Sequence, residues 1–206
     1  MKIYDISMTI TEDIMVYNNL DKKKPRLVQS ANFAQNRHYE TDITMNLHTG
    51  THIDAPLHMI EGGATMSVYA IEQYMTSAKV LDLTQISDCI TEKDLIERDI
   101  QEGDFVLFKT KNSYEEVFNK SFVFLEKSGA NYLARIGIKG VGTDALGIER
   151  SQPDHETHKV LFEKGIIILE GLRLKEIQEG TYQLIALPIK ILSTEAAPVR
   201  AILIEQ

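Results

Sequence analysis

His48-Thr49-Gly50-Thr51-His52-Ile53-Asp54-Ala55-Pro56-Leu57-His58 is the stretch on which the rest of the chain turns. Three of the six histidines and one aspartate fall within these eleven residues. Imidazoles beside a carboxylate are the donor set of Zn²⁺, Mn²⁺ or Fe²⁺. His52 and Asp54 are two apart, so an extended backbone points both to one face. His48 and His52 have a helical spacing, but Gly50 and the β-branched Thr49, Thr51 and Ile53 oppose a helix. The segment reads as a strand ending in a sharp turn at Gly50, which brings His48 back beside His52 and Asp54. Pro56 stops ladder pairing and fixes the exit of the loop. His58 lies just beyond, placed to face a metal without necessarily binding it. A single loop histidine is ordinarily a surface residue. Three with an interleaved aspartate and a glycine hinge make a metal site.

A closed structural zinc site would normally use thiolates, and the chain has one cysteine, Cys89, far off in a polar segment. A nitrogen- and oxygen-rich site suits a catalytic metal with open positions. Further ligands are expected downstream. His155-Glu156-Thr157-His158 opens a helical pattern, and the apolar run Ile166-Ile167-Ile168-Leu169 ends in Glu170. A carboxylate at the end of a buried strand must be paired or bound to a metal. His158 and Glu170 are therefore candidates, against a solvent-facing reading for His158. For His155 the bland reading is the stronger, because it sits beside Pro153 and Asp154 at a helix start.

The histidine-rich segment resembles the signature of the cyclase-like metal-dependent hydrolases, the family that contains bacterial kynurenine formamidase and isatin hydrolase. The resemblance extends from Tyr4-Asp5-Ile6-Ser7 through Glu170-Gly171-Leu172 to Leu187-Pro188-Ile189-Lys190 and Ala197-Pro198-Val199-Arg200-Ala201. It implies that His48, His52 and Asp54 bind one metal. It implies a second held by Asp54, His158 and Glu170, with Asp54 and Glu170 shared. His58 becomes the proton donor and acceptor. Formamidases of the family use zinc and isatin hydrolase uses manganese, so the ion is Zn or Mn, with two ions accommodated. A homodimer or homotetramer is also implied. One departure stands out. Formamidases carry Trp-Pro-Gly-Asp after the first strand, whereas this chain has no Trp and reads Met15-Val16-Tyr17-Asn18-Asn19. Tyr17 is the candidate substrate-binding residue in place of the Trp.

At 206 residues the chain is long enough for one full core, and residues 1–206 read as a single domain. A net charge of −8 argues against nucleic acid and anionic membrane as partners. One cysteine cannot form an internal disulfide, no apolar run approaches the roughly 20 residues of a membrane span, and the N-terminus lacks a signal-peptide core. A cytoplasmic location is the expectation.

Strands are expected at Lys2–Met8, Glu40–Leu47, Lys79–Leu83, Phe105–Phe108, Ile138–Thr143, Ile166–Leu169, Tyr182–Ile185 and Val199–Ile204. Helices are expected at Val68–Tyr74, after a Thr91 cap with Asp94 three residues on, at Glu126–Ile136, and at Pro153–Lys164 before Gly165. Residues 25–38 read as a surface loop. Asp144 either lies beside the site or caps a turn, the latter being favoured. Alternating strands and helices make an α/β domain with a mixed sheet. The resemblance adds a swivelling β/β/α-type fold. The function expected is hydrolysis of a small amide by metal-activated hydroxide, with His58 moving the proton. N-formylkynurenine is one substrate and an isatin-type cyclic amide or lactone the alternative. A metal-binding protein without turnover is the rival from another class. No Gly-x-Ser-x-Gly elbow is present to supply another nucleophile.

Overall fold

A computed structural model describes residues 1–205. Twelve strands run in chain order: β1 (Lys2–Asp5), β2 (Arg26–Ala31), β3 (Glu40–Thr44), β4 (His52–Asp54), β5 (Met75–Asp82), β6 (Cys89–Ile90), β7 (Phe105–Lys109), β8 (Phe124–Leu125), β9 (Gly140–Thr143), β10 (Ile167–Glu170), β11 (Gly180–Pro188) and β12 (Ala196–Glu205). Three α-helices join them: α1 (Glu92–Leu95), α2 (Lys127–Ile136) and α3 (Glu156–Glu163).

Eight strands form one mixed sheet in the order β1-β12-β11-β5-β7-β9-β10-β4. The long strand β12 closes it. Its Ala196–Pro198 segment pairs with β4, and its Ile202–Glu205 segment pairs with β1. The sheet therefore curls into a ring, with β4 as the short wedge between β10 and β12. Strands β5, β7, β9 and β10 are parallel neighbours. Strands covered on both faces read as unbroken apolar runs, which is why Phe105–Phe108 and Ile166–Leu169 carry no alternation.

Alternate residues serve two cores. Phe105, Leu107, Ile167 and Leu169 point into the ring with Ile53, Leu184 and Leu203. Val106, Phe108, Val141 and Ile168 point outward, under α2 and α3, against Leu133 and Leu161. Gly140 makes room for Phe105, since a Cβ there would lie 2.2 Å from the ring. Helix α2 is capped by the Glu126 carboxylate accepting from Ser128 N, and Gly137 ends it at φ 81°.

The expected α/β mixed sheet is present, with differences in detail, and the strand expected over Lys2–Met8 stops at Asp5. The strand expected over Glu40–Leu47 stops at Thr44 and pairs only with β2, in a separate two-stranded ribbon. Its alternation does not mark a core face, because Leu27, Val28 and Ile43 are all exposed. The surface loop expected at 25–38 contains β2. The helix expected from Pro153 begins at Glu156, after His155 takes a left-handed conformation at φ 52°. Val68–Tyr74 forms 3₁₀ turns rather than an α-helix.

Candidate metal centre

Register places the first three polar groups. In β4, Ile53 faces the ring interior, so His52 and Asp54 face the opposite side. Glu170 lies directly across from His52 in the antiparallel β10–β4 pair, on the same face. Helix α3 covers that face and brings His158 down onto it. The four groups converge: His52 Nε2 is 3.4 Å from both Asp54 Oδ1 and Glu170 Oε2, and His158 Nε2 is 3.6 Å from both Asp54 Oδ2 and Glu170 Oε1.

Gly50 makes the turn that adds His48. Its φ is 74°, and a Cβ would lie 2.7 Å from Ile10. Gly171, at φ 71°, packs against it so closely that a Cβ would sit 2.5 Å from Gly50 O. Between them Thr51 Oγ1 donates to Gly171 O at 2.6 Å and accepts from Met8 N at 2.8 Å. The turn delivers His48 with Nδ1 2.9 Å from Asp54 Oδ1 and Nε2 3.4 Å from Glu195 Oε1. His58 leaves the 3₁₀ turn that Pro56 begins and stacks on His48, ring centres 4.0 Å apart, and 5.6 Å from His158.

Asp54 is 0% exposed and Glu170 3%. Two buried carboxylates this close require positive charge. Protons on the imidazoles or a cation can provide it. Burial opposes charge on His52, but Asp54 and then Glu170 overcome it and lift the pKa to about 10. His158 is raised well above the usual imidazole range against the same burial, by Asp54, Glu149 and Glu170. Burial and Asp54 oppose charge on Glu170, yet His158 and His52 hold it down at about 2. Asp54 lies well below the usual carboxylate range, held there by His52, His158 and His48 against burial.

The donor set fits a divalent ion. His52 Nε2, Asp54 Oδ2 and His158 Nε2 are buried and have no hydrogen-bond partner, and Asp54 Oδ1 is buried with His48 Nδ1 nearby but in no well-formed hydrogen bond. All four are aimed into the same space, and imidazole and carboxylate are the ligands that Zn²⁺ and Mn²⁺ accept. The outer atoms are also in order. His52 Nδ1 is 2.9 Å from Gly50 O, to which it donates when Nε2 is left free. His158 Nδ1 is hydrogen-bonded to Glu149 Oε1. Such outer partners fix the tautomer of a ligating histidine.

The structure thus brings together all six residues singled out in the sequence: His48, His52, Asp54, His58, His158 and Glu170. Tyr17 lines the same cleft with Lys23, Met59, Leu146, Gly147, Glu149 and His155. Its ring packs on Phe118 and Phe122 at 5.1 and 6.2 Å between centres. Asn18 and Asn19, at φ 58° and 51°, shape the turn that presents it. Burial pushes the His58 imidazole down to about 4. Asp144 takes the capping alternative. Its buried carboxylate accepts from the backbone and hydroxyls of Thr110 and Ser113, and so ties down the turn at 110–114.

Sequence reasoning missed Glu149, Glu195 and Lys23. Glu149 accepts from His158 and from Thr157 N. Glu149 and Glu195 lie in polar loops and Lys23 in a run of three lysines, so nothing local marked them.

A ring-closing α/β sheet with a buried histidine–carboxylate cluster at β4 and β10 defines a metal-site protein of hydrolase type. The chain belongs to the cyclase family, whose model matches residues 4–150. It is 34% identical over 164 residues to the kynurenine formamidase of Salinibacter ruber, covering 78% of this chain and 77% of that protein. It is 50% identical to a Bacillus stearothermophilus protein described as a predicted metal-dependent hydrolase, with TM-score 0.90 over 98% of this chain and 97% of that one. Isatin hydrolase A from Labrenzia aggregata, bound to benzyl benzoate, shares the fold at TM-score 0.84 over 100% of this chain and 94% of that one, with 22% identity.

Proposed function

We propose that this cleft hydrolyses a small aryl amide, with an N-formyl anilide of the N-formylkynurenine kind as substrate. The chain is a metal-dependent hydrolase of carbon–nitrogen bonds. The observation that carries the site assignment is the convergence of four buried ligand atoms from His52, Asp54 and His158, none of them in a well-formed hydrogen bond. In this reading His48, His52 and Asp54 hold one ion, and Asp54, His158 and Glu170 a second. A divalent ion bound there supplies Lewis acidity toward the carbonyl and acidifies water.

The protein's own groups do the rest. Burial favours the neutral form of His58, the form that can accept a proton. His58 accepts a proton from the attacking water and returns it to the leaving nitrogen, giving the free amine and the acid. Tyr17, held by Phe118 and Phe122, offers an aromatic wall for the aryl ring. His58 also argues against a site that binds metal without turnover, because such a site needs no base beside its ligands.

The ion is proposed as Zn²⁺ or Mn²⁺, which suit a His, Asp and Glu set lacking thiolates. A homodimer or homotetramer is proposed, supported by the exposed apolar ribbon of β2 and β3, since a two-stranded ribbon is marginal alone. A cytoplasmic site is proposed from the single cysteine. Among the described residues no helix is long and apolar enough to cross a membrane. The substrate test is turnover of N-formylkynurenine and of isatin by metal-loaded protein. Faster turnover of the formamide supports the reading, and hydrolysis of isatin alone moves it to the cyclic-amide alternative.

A further inference from the structure

We propose that Lys23 reads a carboxylate on the substrate, so that the cleft selects amides that carry a free carboxylate over the corresponding esters. This deepens the hydrolase reading and rests on it. Lys23 is the one lysine or arginine among the residues that line the cleft. The other charged groups there are committed. Glu149 is bonded to His158, Gln152 and Thr157, and Glu170 accepts from Ile148 N and faces His52 and His158.

Lys23 is not spent in the same way. Its neighbour Lys24 pairs with Asp21 at 2.9 Å. Lys23 instead lies half-buried with Nζ 5.4 Å from the centre of the Tyr17 ring. Its backbone is fixed to the metal-site turn, because Lys23 O accepts from the buried Thr49 Oγ1 at 2.7 Å. Cation, aromatic wall and histidine cluster therefore share one cleft, with the Lys23 backbone anchored to the metal-site turn.

Charge makes the position consequential. The chain carries −8 overall, and Glu149 and Glu170 line the cleft, with Asp54 fully buried beneath. A substrate carboxylate entering such a surface is disfavoured unless a local cation receives it. Lys23 and Tyr17 line the same cleft as His58, His158 and Glu170, so an amide with its aryl ring on Tyr17 and its scissile carbonyl toward the histidine cluster can present its far end to Lys23. A charge-assisted hydrogen bond there favours the carboxylate over an ester about tenfold or more.

The test compares metal-loaded wild type, Lys23→Met and Lys23→Arg, using N-formylkynurenine and its methyl ester. The readout is the ratio of kcat/KM for acid over ester. It is expected to fall about tenfold in Lys23→Met, through KM, and to be retained in Lys23→Arg. Calorimetric binding of kynurenine and its methyl ester is measured on the same proteins. If wild type turns over neither compound, the hydrolase reading fails, and calorimetry still decides the role of Lys23. A preference for kynurenine over its ester that Lys23→Met removes upholds the proposal. No such preference in wild type, or one that Lys23→Met leaves intact, overturns it.

Discussion

Glu149 shows how much of this site lies outside the pattern that announces it. Its carboxylate fixes the Nδ1 side of His158, leaving Nε2 for Asp54 and Glu170. Removing such a partner typically weakens metal binding 10- to 100-fold. Glu149→Ala is therefore expected to raise the metal dissociation constant at least ~10-fold, measured by chelator competition. An unchanged constant would show that His158 is oriented by α3 alone. His58 has a different signature. His58→Ala is expected to keep full metal content while kcat drops by about 10²–10⁴. Loss of metal together with activity would make His58 a ligand, which its proximity to His48 and Asp54 also permits geometrically. The contrast explains what was readable. His48, His52 and Asp54 are near neighbours in sequence, so their spacing reports their geometry. Glu149, Glu195 and Lys23 acquire their positions from α3, from β12 and from the hydrogen bond to Thr49, none of which local sequence encodes.

Elements were legible where burial on both faces left a plain mark. β7 and β10 show as unbroken apolar runs, and the Thr91–Asp94 cap marks α1. The strand β3 misled, because Ile43, Met45 and Leu47 alternate as a core-facing strand does, yet Ile43 is exposed and pairing is with β2 alone. The register of β4 against both β10 and β12 was not legible either, being a long-range closure. That closure depends on the two turns at Gly50 and Gly171. Gly171→Ala puts a methyl 2.5 Å from Gly50 O at a φ of 71°. It is expected to cost roughly 1–3 kcal/mol of stability. Because Thr51 donates to Gly171 O, metal affinity should fall as well. Thermal unfolding and chelator competition measure the two effects. An unperturbed protein would mean that the back-to-back turns do not position the site.

At the scale of the molecule, the metal centre ties β4 and β10 to α3. A ligand bound only by the folded state stabilises by mass action, by about 2.7 kcal/mol at a hundredfold excess over its dissociation constant. Metal-stripped protein should accordingly melt several degrees lower, roughly 5–10 °C for a domain of this size. Alkaline behaviour should be set elsewhere. Burial raises the Tyr74 phenol to about 12. An unfolded tyrosine ionises near pH ~10. The contribution of Tyr74 is therefore complete below about pH 10 and lost as pH rises through about 12. Tyr74→Phe should flatten that decline, and denaturant midpoints between about pH 9 and 11.5 would show it. The central claim, however, is that His48, His52, Asp54, His158 and Glu170 form a metal-dependent hydrolytic centre. Its most direct test is hydrolysis of N-formylkynurenine and of isatin by protein stripped of metal and then reloaded separately with Zn²⁺ and with Mn²⁺. Activity should vanish on stripping and return with at least one ion, in proportion to metal bound. Full activity in stripped protein, or none in protein with metal demonstrably bound, would contradict the account.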